Sequence, residues 1–194
     1  MLRSVLTATA LVLLPASLAF AEPENPAEGV QIGPQTSEPA PVFSALTSAG
    51  ETVDLAAISG DNGAIIVFSR SLDWCPYCKK QALELRGVSD ASAAAGWPLS
   101  LITYDSPETL SEFGDANDLP YMLLSDPGSA MIDAFSLRNH DVPAGSRFDG
   151  IPHPAIVFID ANGIIRAVQR EEGYKVRPSA EGILAEVEAL NSAN

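Results

Sequence analysis

The chain has 194 residues, with 11 basic and 25 acidic side chains, a formal net charge of −14 and 46% hydrophobic residues. That length suits one domain with a hydrophobic core, and the acidic balance argues against phosphate backbones or anionic lipid as partners. Its two cysteines, Cys75 and Cys78, are three residues apart, and a bridge closing so short a loop stabilises a fold less than a long one does, which makes chemistry the stronger reading of the pair.

From the start of the chain, Arg3, the apolar run 6–14, Pro15 and Ala19-Phe20-Ala21 have the layout of a cleavable secretory signal. The run is shorter than the roughly 20 residues needed to span a bilayer. The expectation is a signal peptide over 1–21 and a soluble periplasmic or secreted product. Residues 22–41, rich in Pro, Glu and Gly, read as a flexible linker, with one domain over 42–194. Residues 42–46 and 52–55 flank the turn Ser48-Ala49-Gly50 and read as a β-hairpin. The β-branched run 64–69 has the character of a central strand covered on both faces. It leads straight into Trp74-Cys75-Pro76-Tyr77-Cys78, after which Ala82, Leu85 and Val88 recur at helical spacing until Gly96-Trp97-Pro98.

A second strand follows at 99–104, then a short helix with Ser106 as N-cap and Pro107 at its first position. Residues 122–124 read as a third strand, and Asp126 as the cap of a short helix running to Phe135. The stretch 138–153 is a polar loop with Gly and Pro. Residues 155–160 and 164–169 about Ala161-Asn162-Gly163 predict a hairpin, and Ile183, Leu184, Val187 and Leu190 one face of a closing amphipathic helix. The fold class expected is α/β, with a mixed central sheet flanked by helices and an N-terminal β-hairpin.

The chemistry centres on the thiols. A cysteine at a helix start has its thiolate favoured by unpaired backbone N–H groups and the macrodipole, and Pro76 suits the next position. Cys75 is expected to be a partly exposed nucleophile, with Lys79 and Lys80 also favouring an anion there. Cys78, one turn along, would attack a mixed disulfide on Cys75 and release the partner. Zinc is the competing reading of a CxxC, but the remaining candidate ligands are only His140 and His153. An inert structural bridge is a further alternative. No metal or cofactor is expected.

Over about residues 41–192 the chain resembles the thioredoxin-like superfamily, in particular the redoxin branch that contains alkyl hydroperoxide reductase-type peroxiredoxins and exported thiol-disulfide oxidoreductases. The resemblance is carried by the motif from Asp73 through Cys75 and Cys78 to Gln81, by Leu123-Leu124-Ser125-Asp126-Pro127 on to Ala134-Phe135, and by Gly150-Ile151-Pro152-His153-Pro154 leading into 155–160. Cys-Pro-Tyr-Cys is similar to the pair in glutaredoxins. The resemblance implies a thioredoxin-like fold with a cis bond at His153–Pro154. The backbone of His153 would then lie beside sulfur to pair with an extended substrate, with Trp74, Pro76 and Tyr77 completing the substrate-binding rim. The chain departs from peroxiredoxins at two points: Leu72 stands where a hydrogen-bonding threonine is expected, and the arginine position falls at or near Pro154. Arg70, Arg138 or Arg147 could substitute only if folding brings one to Cys75. Ser69 also stands where thioredoxins carry a buried acid. The preferred reading is therefore an exported thiol-disulfide oxidoreductase acting through Cys75 and Cys78. The alternative is a peroxiredoxin-like thiol peroxidase that reduces hydroperoxides at Cys75, and a third is a non-enzymatic binding module. The partners implied are protein thiols or disulfides, a small thiol or hydroperoxide, and a redox partner protein, with no nucleic acid and no stable membrane insertion.

Overall fold

The computed structural model describes residues 32–171 and 173–193. The expected signal peptide and the linker up to residue 31 lie outside the described residues. A seven-stranded sheet forms the centre, with spatial order β2-β1-β5-β4-β3-β6-β7. The strands are β1 (Ala45–Thr47), β2 (Thr52–Val53), β3 (Gly63–Phe68), β4 (Leu99–Thr103), β5 (Met122–Ser125), β6 (Ala155–Asp160) and β7 (Ile165–Arg170). β3, β4 and β5 run parallel. β6 joins β3 antiparallel, and β7 and β1 continue the sheet antiparallel at either side. The expected N-terminal hairpin is present, with Ala45 opposite Val53.

β3 is buried along its whole length, and its side chains alternate between two cores, as the period of a strand requires. Ile65 and Val67 face a cluster with Leu85, Trp97, Leu101, Phe158 and Ile183. Ala64, Ile66 and Phe68 face another with Phe135, Ile102, Leu124 and Val157. The first cluster is covered by α2 (Pro76–Ala94) and the closing helix α5 (Ala180–Ser192), which lie side by side. The indole N–H of the fully buried Trp97 donates to Asn191 Oδ1 at 2.8 Å and ties the end of α5 to the turn after α2. Among the short helices, α1 (Leu55–Ile58) is capped by Asp54 and α3 (Pro107–Ala116) by Ser106, with Pro107 in its first turn. α4 (Ala130–Ala134) starts after a left-handed Ser129 that makes no side-chain cap bond. Asp126 supplies the acceptor from three residues earlier, taking the N–H of Ile132 at 2.9 Å.

Two expectations need correction. The linker read over 22–41 is held in place from Ile32 onward: Ser37 N–H donates to Ile165 O, Ile165 N–H to Glu38 O and Ala40 N–H to Gly163 O, at 2.7 to 2.9 Å. Ile32 and Ala40 pack on the second core. Its few apolar residues fall where the start of β7 offers free backbone groups, which composition alone does not reveal. The His153–Pro154 bond is trans, as is every described peptide bond. The approach to β6 is already extended, because Pro152 bridges Arg138 and His153 N–H donates to Leu137 O at 2.7 Å.

Candidate active site

β3 ends at Phe68, and Ser69 N–H still pairs with Ile102 O of β4. The chain then turns through Ser71–Trp74 before α2. Two acceptors fix that turn. Ser71 Oγ takes the N–H groups of Asp73 (3.0 Å) and Trp74 (3.3 Å). Asp105 Oδ2, just past β4, takes the N–H of Leu72 at 2.6 Å and the hydroxyl of Thr103 at 2.9 Å. Burial pushes the Asp105 carboxyl above the ordinary carboxylate range, and these hydrogen bonds partly oppose the shift.

Cys75 is the N-cap of α2, with extended backbone, and its sulfur accepts the N–H of Cys78 at 3.3 Å. Pro76 occupies the first helical turn, as expected. Cys75 and Cys78 form a disulfide with their Cα atoms 5.3 Å apart. Cys75 is not partly exposed but buried, at 2%. The segment between β7 and α5 brings Arg177 onto the pair, with Nη2 lying 3.3 Å from Cys78 Sγ and 4.0 Å from Cys75 Sγ. Burial first, and the nearby charge of Arg70 second, lower the Arg177 pKa to about 10, so it remains charged at neutral pH. The same segment carries Tyr174, whose ring meets Tyr77 edge-on at 5.9 Å and lies under the Arg70 guanidinium, 4.2 Å from Cζ to centroid.

The remaining expected residues divide between two surroundings. Trp74 stands beside the sulfur pair and is fixed in place: its indole N–H donates to Tyr104 Oη at 3.0 Å, Tyr104 donates to Arg147 O at 2.9 Å, and its ring packs edge-on against Phe148 at 4.6 Å. Pro76 and Tyr77 are exposed on the first turn of α2. His153 and Pro154 instead line a cleft of about 440 Å³ with Arg70, Arg170 and Tyr174. Because the N–H of His153 is already used by Leu137, it is not free to pair with a substrate strand. Burial, helped by Arg170, lowers the His153 pKa.

Of the three arginines weighed from sequence, Arg138 is held by Asp133 and Asp149 and Arg147 stacks on Phe148. Arg70 alone reaches the neighbourhood of the thiols, through Tyr174 and Arg177. Arg177 was not foreseen. It is 102 positions from Cys75 and in no motif; the one local signal is that it stands before Pro178 and the Ser179 cap of α5.

This arrangement puts a guanidinium, a helix N-terminus and two sulfurs within contact of one another, so a negative charge on sulfur or on an oxygen attached to it is favoured. Comparison with known proteins shows the family and the fold. A model of the AhpC/TSA family matches residues 36–168. Peroxiredoxin Bcp of Escherichia coli (strain K12) is 33% identical over 129 residues, which cover 66% of this chain and 81% of that protein. Among solved structures, the peroxidoxin BcpB of Mycobacterium tuberculosis shares the fold with a TM-score of 0.67 at 18% identity, over 84% of this chain and 98% of that one. Enterococcus faecalis AhpC does so with a TM-score of 0.69 at 16% identity, over 81% and 93%. Arg177 lies beyond the end of the family match. Since that match takes in both cysteines and runs from ahead of β1 into β7, this thioredoxin-like oxidoreductase chain belongs to the AhpC/TSA family.

Proposed function

We propose that the protein is a thiol peroxidase in which Cys75 reduces a hydroperoxide and Cys78 resolves the product. The observation that carries this reading is Arg177 against both sulfurs. Of the two departures from peroxiredoxins read in the sequence, Leu72 and the missing arginine, folding offsets the second by bringing Arg177 to the sulfurs from an unforeseen position. The Cys75 thiolate attacks one peroxide oxygen, the O–O bond breaks, and the leaving oxygen takes a proton and departs as alcohol or water. Cys75 is left as a sulfenic acid. The Cys78 thiol then attacks that sulfur, forms the disulfide and releases water, and an external thiol reductant returns the pair to the dithiol. Arg177 is placed to stabilise the thiolate before attack and the developing oxyanion during it, and an electrostatic contribution of that kind is often the largest single one.

Disulfide exchange is the second reading, favoured by Leu72, which offers no hydroxyl to a peroxide, and by the CxxC spacing. Rapid mixing of the reduced protein with hydrogen peroxide separates the two. Peroxidase chemistry predicts oxidation at least about 10²-fold faster than that of free cysteine and a similar factor lost in Arg177→Met. Cys75→Ser should abolish the reaction, and Cys78→Ser should accumulate the sulfenic acid. Oxidation no faster than that of free cysteine would leave disulfide exchange. Export through residues 1–21 belongs to the same proposal, and a cell-derived protein beginning after Ala21 is its expected signature.

A further inference from the structure

Tyr174, which meets Tyr77 of the turn between Cys75 and Cys78, also lines a cleft with features that hydroperoxide reduction alone does not require. Its wall includes Arg70, Arg170, His153 and Tyr174. Arg70 lies between this cleft and Arg177, close enough for each neighbour to sense its charge. The buried Nε of Arg70, and Nε and Nη1 of Arg177, have no acceptor among the described residues. Neither guanidinium is paired with a carboxylate among the described residues. Orphaned donors of this kind are expensive, more so on charged groups. Stacking on Tyr174 occupies the face of Arg70 and leaves the N–H edge for recognition. With Lys175, 5.9 Å from the same ring, four of the chain's 11 basic residues gather here, in a protein of net charge −14. Two acids, Asp141 and Glu171, line the cleft with Arg70 and Arg170, so among the described residues its excess positive charge comes from Arg177 and Lys175 close by.

We propose that Arg70, Arg170 and His153 form a carboxylate-binding subsite beside the thiols, so that Cys75 and Cys78 react preferentially with small molecules bearing a carboxylate. The proposal rests on the thiol chemistry above and names the class of its small substrate. The guanidinium fork suits the planar carboxylate, and the volume suits a small organic acid. Either the hydroperoxide or the reducing thiol can carry that group.

The first test does not depend on peroxidase activity. The reduced protein is alkylated with iodoacetate and with iodoacetamide, which differ in charge but not in the reacting carbon. The ratio of the two rates is expected to exceed that of free cysteine by about tenfold at low salt and to fall as salt is added. Arg70→Gln and Arg170→Gln should each lower the ratio severalfold, and the iodoacetamide rate reports in each variant whether the thiol and its fold are intact. A ratio in the native protein equal to that of free cysteine overturns the subsite, whatever hydrogen peroxide shows; a high ratio with no peroxide reactivity overturns only the peroxidase reading. Two further arms identify the substrate: a carboxylate-bearing alkyl hydroperoxide against its methyl ester with the reduced protein, and mercaptoacetate against 2-mercaptoethanol with the disulfide. Preference for the acid in one arm assigns the subsite to that partner, and preference in neither overturns it.

Discussion

Arg177 and Asp105 show why single residues resist reading from sequence. Neither belongs to the CxxC motif, yet one touches both sulfurs and the other fixes the turn that delivers Cys75 to the head of α2. Their roles depend on which loop crosses which strand end, and that is set by topology. For Asp105 the consequence can be measured. Asp105→Ala leaves the N–H of Leu72 and the hydroxyl of Thr103 without an acceptor in a buried place, and is expected to destabilise the fold by about 2–4 kcal/mol. Asp105→Asn retains an acceptor and should lose less. The pH dependence has a defined sign. Because burial raises the carboxyl pKa in the fold above its unfolded value, the native state holds this proton more tightly. This group's contribution to stability therefore declines as pH rises through the interval between the two values. Asp105→Asn lacks that titration. Urea unfolding from about pH 4 upward should show a shallower decline for the Asn variant, and parallel curves would mean that Asp105 is not the group responsible.

At the scale of elements much was legible. The run 64–69, the hairpin 155–169 and the closing helix carry their own period and punctuation, and they form within a residue or two of where those signals lie. Cys75 at the junction of a buried strand and a helix was readable for the same reason. The geometry before β6 was not: a proline at that position says nothing of the backbone pairing by residues 152 and 153 that keeps the chain extended. The neighbouring β3–β6 ladder also has a steric requirement. Gly63, opposite Asp160, has φ +150°. A Cβ there would collide with the carbonyl oxygen of Ile159 and lie 2.7 Å from the ring of Trp97 and 2.8 Å from the Cα of Asp160. Two of these obstacles are backbone, which cannot rotate aside. Gly63→Ala is therefore expected to destabilise the protein by about 3 kcal/mol or more, the combined effect of overpacking and a conformation unfavourable for L side chains. Chemical denaturation would register this as a lower midpoint with an unchanged slope, and a loss below about 1 kcal/mol would mean that the ladder gives way more readily than its contacts suggest.

Across the whole molecule, the sheet divides the interior into two cores, and the second is completed by chain that composition assigns to a tether. Residues 32–41 cross from the loop after α4 to the β6–β7 turn: Gly33 N–H donates to Ser136 O, the segment 37–40 exchanges backbone hydrogen bonds with Gly163 and Ile165, and Arg170 donates to Ile32 O. This contact covers the start of β7, the last strand of the sheet, where unpaired backbone groups would otherwise invite pairing with another chain. Each backbone bond is worth about 1 kcal/mol net, and burial of Ile32 adds to them, while ordering ten residues opposes the sum. A protein beginning at Val42 is accordingly expected to be less stable than one beginning at Ile32 by about 2–4 kcal/mol, and more prone to self-association as the β7 edge opens. Thermal unfolding of the two, followed at several protein concentrations, tests both parts. The site itself lies against the other core, where Cys75 and Cys78 pack with Leu72 and Ala82, so the shorter protein should keep its thiol reactivity at temperatures where it remains folded. A loss of reactivity that precedes unfolding would mean that the first ten described residues also hold the cleft around Arg70 and Arg170 in shape.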